Sequence, residues 1–140
     1  MNRLLQGALR LLLCCVCAGA IAAQHHVPFS SVAEASGPVS VDTQQYGDAP
    51  NQFVEVVEPN AEVFATVLFV HGGCWLDAYG VDHARAALQA LASRGFRAVA
   101  PEYTRIGEGP STWPQPLTDL NQSIDWALSF YPDQPVWLVG

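Results

Sequence analysis

The residues best placed to do chemistry are His71-Gly72-Gly73-Cys74-Trp75, which follow the apolar run Val67-Leu68-Phe69-Val70. Two glycines just past a strand permit backbone conformations closed to other residues and let a second group approach closely. Successive N–H groups can then converge on one spot, which is how an anion or a developing oxyanion is held. The side chains offer a second chemistry, because Cys74 has His71 three positions before it. A cysteine nucleophile needs thiolate character and an oriented base. The structural alternatives are a plain tight turn and a buried histidine that hydrogen-bonds the loop. Trp75 would either line an acyl or aryl pocket or pack beneath the loop.

The elements that must position this stretch follow from periodicity. An unbroken apolar run through Val70 does not alternate faces, so it reads as a strand covered on both sides, roughly Phe64 to Val70. Before it, Val39 to Val41 reads as a short edge strand, Tyr46 to Pro50 as a turn, and Gln52 to Glu58 as a further strand. After it, Ala84, Ala87, Leu88 and Leu91 form one stripe of a helix from about Asp82 to Arg94, with Asp82 as its cap and Gly95 as its stop. Phe96 to Ala100 is the next strand, ended by Pro101, and a long loop runs from Glu102 to Pro114. A second helix begins near Pro116 and ends by Tyr131-Pro132, with Leu117, Leu120, Ile124, Ala127 and Leu128 as its buried stripe. Asp119 in its first turn reads first as a carboxylate favoured by the helix dipole and second as a loop anchor. Val136 to Gly140 is a final apolar strand. Strand, helix, strand, helix, strand with short connections predicts an α/β domain with a mostly parallel sheet and flanking helices.

Composition bounds the rest. A chain of 140 residues, half of them apolar, is of single-domain size and globular. Its first 23 residues differ in kind: Arg3 and Arg10, an uncharged stretch from Leu11 to Ala22, then small residues. This reads as a secretory signal peptide cut after Ala22 or Ala23, with an uncleaved anchor as the alternative. Leu13 before Cys14 and Val16 before Cys17 are too large for a lipoprotein signal. Cleavage removes Cys14, Cys15 and Cys17, leaving Cys74 alone and no intrachain disulfide. Residues 24–37 read as a linker. Its His25-His26 pair puts a histidine third from either new terminus, where copper or nickel chelation competes with the plainer reading of a solvated tail. The mature part has no lysine and sets four arginines against thirteen acids, so nucleic acid and anionic membranes are poor partners. No acids are spaced to suggest a metal site.

The pattern as a whole resembles the first half of an α/β-hydrolase, of the serine esterases and amidases whose oxyanion loop is His-Gly-Gly-x-Trp. Kynurenine-formamidase-like, hormone-sensitive-lipase-like and feruloyl-esterase-like enzymes belong to this group. The resemblance rests on His71 to Trp75, on Tyr103-Thr104-Arg105-Ile106-Gly107-Glu108-Gly109 followed by Trp113-Pro114 and Asp119, on Asp125-Trp126, and on the lead-in Tyr46 to Gln52. It covers about Tyr46 to Gly140, within a partial hydrolase domain at 38–140.

By this resemblance Gly73 and Cys74 supply oxyanion N–H groups, Gly72 permits close approach, and Cys74 acts through its backbone rather than as a nucleophile. His71, Tyr103, Arg105, Trp113 and Asp119 support the loop. Gly140 begins the Gly-x-Ser-x-Gly nucleophile elbow, where a strand turns sharply into a helix. The serine, the acid and the histidine base would follow it, so the chain reads as an N-terminal half truncated at the elbow and inactive by itself. The implied activity is hydrolysis of a small carboxylic ester or aryl formamide through an acyl-enzyme, with no cofactor or metal, by a secreted or periplasmic protein. The competing reading is a non-catalytic secreted remnant or binding protein. The resemblance leaves substrate, lid and oligomeric state open.

Overall fold

The computed structural model describes residues 28, 30, 31, 39–107 and 113–140. The expected signal peptide, His25-His26, most of the 24–37 linker, and Glu108 and Gly109 lie outside the described residues.

Five strands form one sheet: β1 Asp42–Gln45, β2 Phe53–Val57, β3 Ala65–Phe69, β4 Phe96–Pro101 and β5 Val136–Val139, in the order β1-β2-β4-β3-β5. β4, β3 and β5 are parallel, as the strand-helix alternation predicts. β1 and β2 extend the sheet antiparallel, so the whole is mixed. β3 lies between β4 and β5, and Ala65, Thr66, Val67 and Leu68 are all buried. An interior strand covered on both faces has no place for alternating polar residues, which accounts for its apolar run from Val67 onward, with Thr66 as the one polar side chain buried in it.

Two helices complete the unit: α1, Arg85–Ala92, entered through a 3-10 turn at Val81–Ala84, and α2, Gln115–Phe130. The connection from β3 to β4 runs one way across the sheet, and that from β4 to β5 runs back past β3. Crossovers of one hand running in opposite directions must put their helices on opposite faces. The cores agree. Leu88 and Ala84 pack on Ala98 and Ala100, whereas Ala127 and Tyr131 pack with Leu68, Val99, Val54 and Val56. Where neighbouring strands send their helices to opposite faces, a crevice opens beyond their carboxyl ends, the usual ligand position in open α/β sheets. Here that crevice lies between the loops after β3 and β4, which are pinned by an isolated bridge between Leu76 and Ile106.

Four local expectations are corrected. The first strand is Asp42–Gln45 rather than Val39 to Val41, because the Tyr46–Gln52 turn sets its register and pairs Gln45 with Phe53. A polar edge strand blunts unwanted pairing, and apolar content misplaces it. Asp82 does not cap α1: Gly80 holds the N-cap position of the 3-10 turn, and the Val81 N–H is taken by Glu102 Oε2 at 2.9 Å. The helix then ends at Ala92, and Gly95 closes the turn on the Ala92 carbonyl. The inner stripe of α2 is Pro116, Asp119, Leu120, Ser123 and Ala127, while Leu117 and Leu128 are exposed. Asp119 and Ser123 can sit inside because both are hydrogen-bonded there, which rotates the helix away from its purely apolar stripe.

Candidate active site

After Val70 the chain leaves the sheet in a left-handed turn. Gly73, Cys74 and Trp75 have φ of 128°, 53° and 64°. Gly73 is required twice over, since its φ excludes side chains and a Cβ there would lie 2.5 Å from Tyr79 Cβ. Cys74 and Trp75 hold a conformation that costs non-glycine residues energy and survives only when the surroundings fix it. The fixing bonds are Leu76 N–H to Gly73 C=O at 3.0 Å and Ile106 N–H to Trp75 C=O at 2.7 Å. Among the described residues, no hydrogen bond occupies the N–H of Gly73 or Cys74. Gly72 is exposed and would meet nothing within 4 Å if it carried a Cβ.

The histidine at the head of the loop is committed beneath it. His71 is buried, with Nδ1 2.9 Å from the Gly72 carbonyl and Nε2 3.4 Å from Glu102 Oε1. Its ring stacks on Tyr103 at 4.4 Å, and the Tyr103 hydroxyl donates to the His71 carbonyl at 2.8 Å. Cys74 is exposed and free, and no hydrogen bond joins it to the buried imidazole. That arrangement lacks the oriented base a cysteine nucleophile needs.

Below the loop, Tyr103 is buried and Glu102 is 5 % exposed. Burial raises the Glu102 carboxyl's pKa, but the His71 ring and the N–H groups of Val81 and Tyr103 outweigh it and hold the group below its ordinary value. Burial, then the charge of Glu102, pushes the Tyr103 phenol up to about 12. Arg105 faces Glu102 at 3.6 Å and donates to the Asp77 carbonyl at 2.8 Å, spanning the two loops.

Asp119 is wholly buried, and anchoring is its main role here. It accepts from Gln52 Nε2 at 2.8 Å, the Thr104 N–H at 2.9 Å and Gln115 Nε2 at 2.8 Å. Burial raises its pKa, and bonds from Thr104, Gln52 and Gln115 lower it below the ordinary value. The Tyr46 hydroxyl donates to the Glu102 carbonyl at 2.7 Å, and Asn51 Nδ2 donates to Thr104 Oγ1 at 2.8 Å. The Tyr46–Gln52 lead-in is thereby clasped to the loop after β4.

Trp75 packs between two aromatics, Tyr103 at 5.3 Å and Trp113 at 6.1 Å, and Trp113 is largely exposed. An open depression of about 630 Å³ lies beside the loop, lined by Phe69, Gly72, Cys74, Tyr79, Ala84 and Ala87. His83 is half-buried, with its ring 5.5 Å from Tyr79. Gly140 follows β5, and its Cα lies beside Val70, to whose Cβ a methyl there would come within 3.2 Å. Gly140, where the chain leaves β5, therefore lies beside the residue that leads into the loop at 71–75. Among the described residues, no group of three or more His, Cys, Asp or Glu is placed to hold a metal ion, and no helix is long and apolar enough to cross a membrane.

Glu102, Gln52 and the buried Glu55, which pairs with Arg85 at 2.8 Å, escape the sequence reading. A usable signal existed for one of them: Glu102 directly follows the carboxyl end of a parallel strand, where open α/β sheets place their functional groups.

No family model matches the sequence, nor does any curated protein. Solved structures do. A candidate thioesterase from a Silicibacter species aligns with a TM-score of 0.62 and 20% identity, over 86% of this chain and 47% of that one. Esterase B from Lactobacillus rhamnosis aligns at 0.58 and 22% identity, over 72% of this chain and 33% of its own. The apo form of Thermogutta terrifontis esterase 2 aligns at 0.56 and 19% identity, over 67% and 36%. The fold is that of an α/β-hydrolase-like protein, and the chain spans a third to a half of the length of the structures it matches.

Proposed function

We propose that this chain is the oxyanion-binding half of an exported serine hydrolase that cleaves small carboxylic esters or aryl formamides. The observation that carries the reading is the turn at Gly73-Cys74-Trp75. It presents, at the carboxyl end of β3 and beside the point where the chain leaves β5, two backbone N–H groups that no hydrogen bond occupies among the described residues. Donors fixed in that way stabilise the oxyanion of an acyl-transfer transition state, and removing one typically costs about a hundred- to a thousandfold in rate.

In this reading a serine elbow follows Gly140 and places its Oγ next to the Gly73 and Cys74 amides. Serine attack forms a tetrahedral intermediate, the alcohol or amine leaves with a proton from the base, and water hydrolyses the acyl-enzyme. The exposed Trp113 and the Trp75 beside it offer an apolar wall for the acyl or aryl part. The 140 residues themselves hold no Gly-x-Ser-x-Gly and would be inactive alone. Export rests on the leader, with cleavage after Ala22 or Ala23.

The decisive test is to sequence the transcript past codon 140, express the complete product, and assay p-nitrophenyl acetate against N-formylkynurenine. A continuation x-Ser-x-Gly, fluorophosphonate labelling of that serine and turnover of either substrate support the proposal. A stop codon, or a complete protein that cleaves neither, overturns it in favour of a non-catalytic binding protein. Amino-terminal sequencing of the exported protein checks the cleavage site.

A further inference from the structure

One carboxylate holds both ends of the strained loop. Glu102 Oε1 accepts from the Tyr103 N–H at 3.0 Å and faces His71 Nε2 at 3.4 Å, at the loop's start. Glu102 Oε2 accepts from the Val81 N–H at 2.9 Å, where the loop passes into the turn before α1. Arg105, on the opposite loop, faces the same carboxylate and grips the loop's middle through the Asp77 carbonyl. The Tyr103 and Val81 N–H groups hydrogen-bond this carboxylate, one on each oxygen, while His71 Nε2 and Arg105 Nε stand against it at ion-pair distance rather than in hydrogen bonds to it. Room is also reserved for it, since a Cβ on Gly80 would come within 3.0 Å of Glu102 Oε2.

We infer that Glu102 is the positioning residue of the oxyanion loop: by tying His71 to Val81 it fixes the span between them, and so aims the Gly73 and Cys74 amides. Backbone at positive φ in Cys74 and Trp75 persists only where its surroundings over-determine it. The Tyr103 hydroxyl and the Ile106 amide hold individual carbonyls of the loop, whereas Glu102 reaches both of its ends. Its catalytic consequence rests on the hydrolase reading, but its effect on loop order does not.

The experiment is amide hydrogen exchange on the complete gene product and its Glu102→Gln variant, followed at Leu76 and Ile106 in the loop contacts and at Val99 in the β4 core. Glu102→Gln should speed exchange at Leu76 and Ile106 by about tenfold or more while leaving Val99 within about twofold. In the same variant, ester kcat should fall by about ten- to a hundredfold with KM within about threefold, the signature of an interaction made in the transition state. An equal rise at Val99 would make Glu102 a contributor to global stability only, and no rise at Leu76 and Ile106 would also overturn the inference. Should the glutamine variant fail to fold, Glu102→Asp, which keeps the charge but is one methylene too short to span both partners, is read by the same criteria. If the wild-type protein cleaves no ester, the hydrolase reading fails while the exchange measurement still decides the role of Glu102.

Discussion

The Tyr103 hydroxyl donates to the His71 carbonyl at 2.8 Å while its ring lies flat on the His71 imidazole, with planes 9° apart. The two contacts separate cleanly by mutation. Tyr103→Phe keeps the stack and leaves a buried carbonyl without its donor, a loss of about 1–3 kcal/mol. The urea midpoint of the complete protein should fall accordingly. Tyr103→Leu, which loses the stack as well, should fall further. Equal midpoints for Tyr103→Phe and wild type would remove this bond from the account of the loop.

Asp119 receives three N–H groups from Gln52, Thr104 and Gln115. Asp119→Asn turns one acceptor into a donor facing a donor, and should destabilise the protein by about 3 kcal/mol. Gln52→Ala should cost less, because it removes a donor and leaves a carboxylate that still has two. Equilibrium denaturation of the two variants checks the ranking, and a larger loss for Gln52→Ala would contradict it.

The order of these residues along the chain explains what could be read from them. β3, β4 and α2 were legible because their signals are local: an apolar run, a proline stop, a helical period. The His-Gly-Gly turn was legible because glycines just past a buried strand announce an unusual backbone. Gln52 was not, since its Asp119 partner lies 67 residues away and no periodicity links a lone amide to a distant acid, and for Glu102 only its place after β4 was a signal, its Val81 partner lying 21 residues away. The inner face of α2 was misjudged for the same reason. A counting rule places Leu117 and Leu128 inside and Asp119 outside, while the Asp119 carboxylate is drawn in by donors on other segments.

Both carboxyls titrate below their ordinary values, 4.5 for Glu102 and 3.8 for Asp119. As pH falls the unfolded chain takes up these protons first, so the stability they contribute is whole above about pH 4.5 and is lost as pH drops through the lowered folded values. The wild-type urea midpoint should therefore decline steadily between about pH 5 and pH 2, and Glu102→Gln should decline less over that window. An equally steep decline in the variant would mean Glu102 is not among the groups responsible. Tyr103 acts in the opposite direction: raised to about 12, it contributes stability that is complete below its ordinary value of 10.0 and is lost as pH climbs toward the folded value.

The two loop glycines should fail in different ways. Gly73→Ala puts a methyl 2.5 Å from Tyr79 Cβ at a φ of 128°, so it should destabilise the fold by several kcal/mol, about 2–4, as strain and overlap combine. Gly72→Ala meets nothing within 4 Å, so stability should stay within about 0.5 kcal/mol of wild type. In the proposed function Gly72 permits the close approach of a substrate oxygen to the Gly73 and Cys74 amides, and an added methyl should hinder that approach. Ester turnover by the complete protein should then drop by about tenfold or more with the fold intact. A stable Gly72→Ala variant with wild-type turnover would place the reacting oxygen elsewhere than on this loop, and Gly73→Ala, if unexpectedly stable, would show that the turn is less tightly held than its contacts imply.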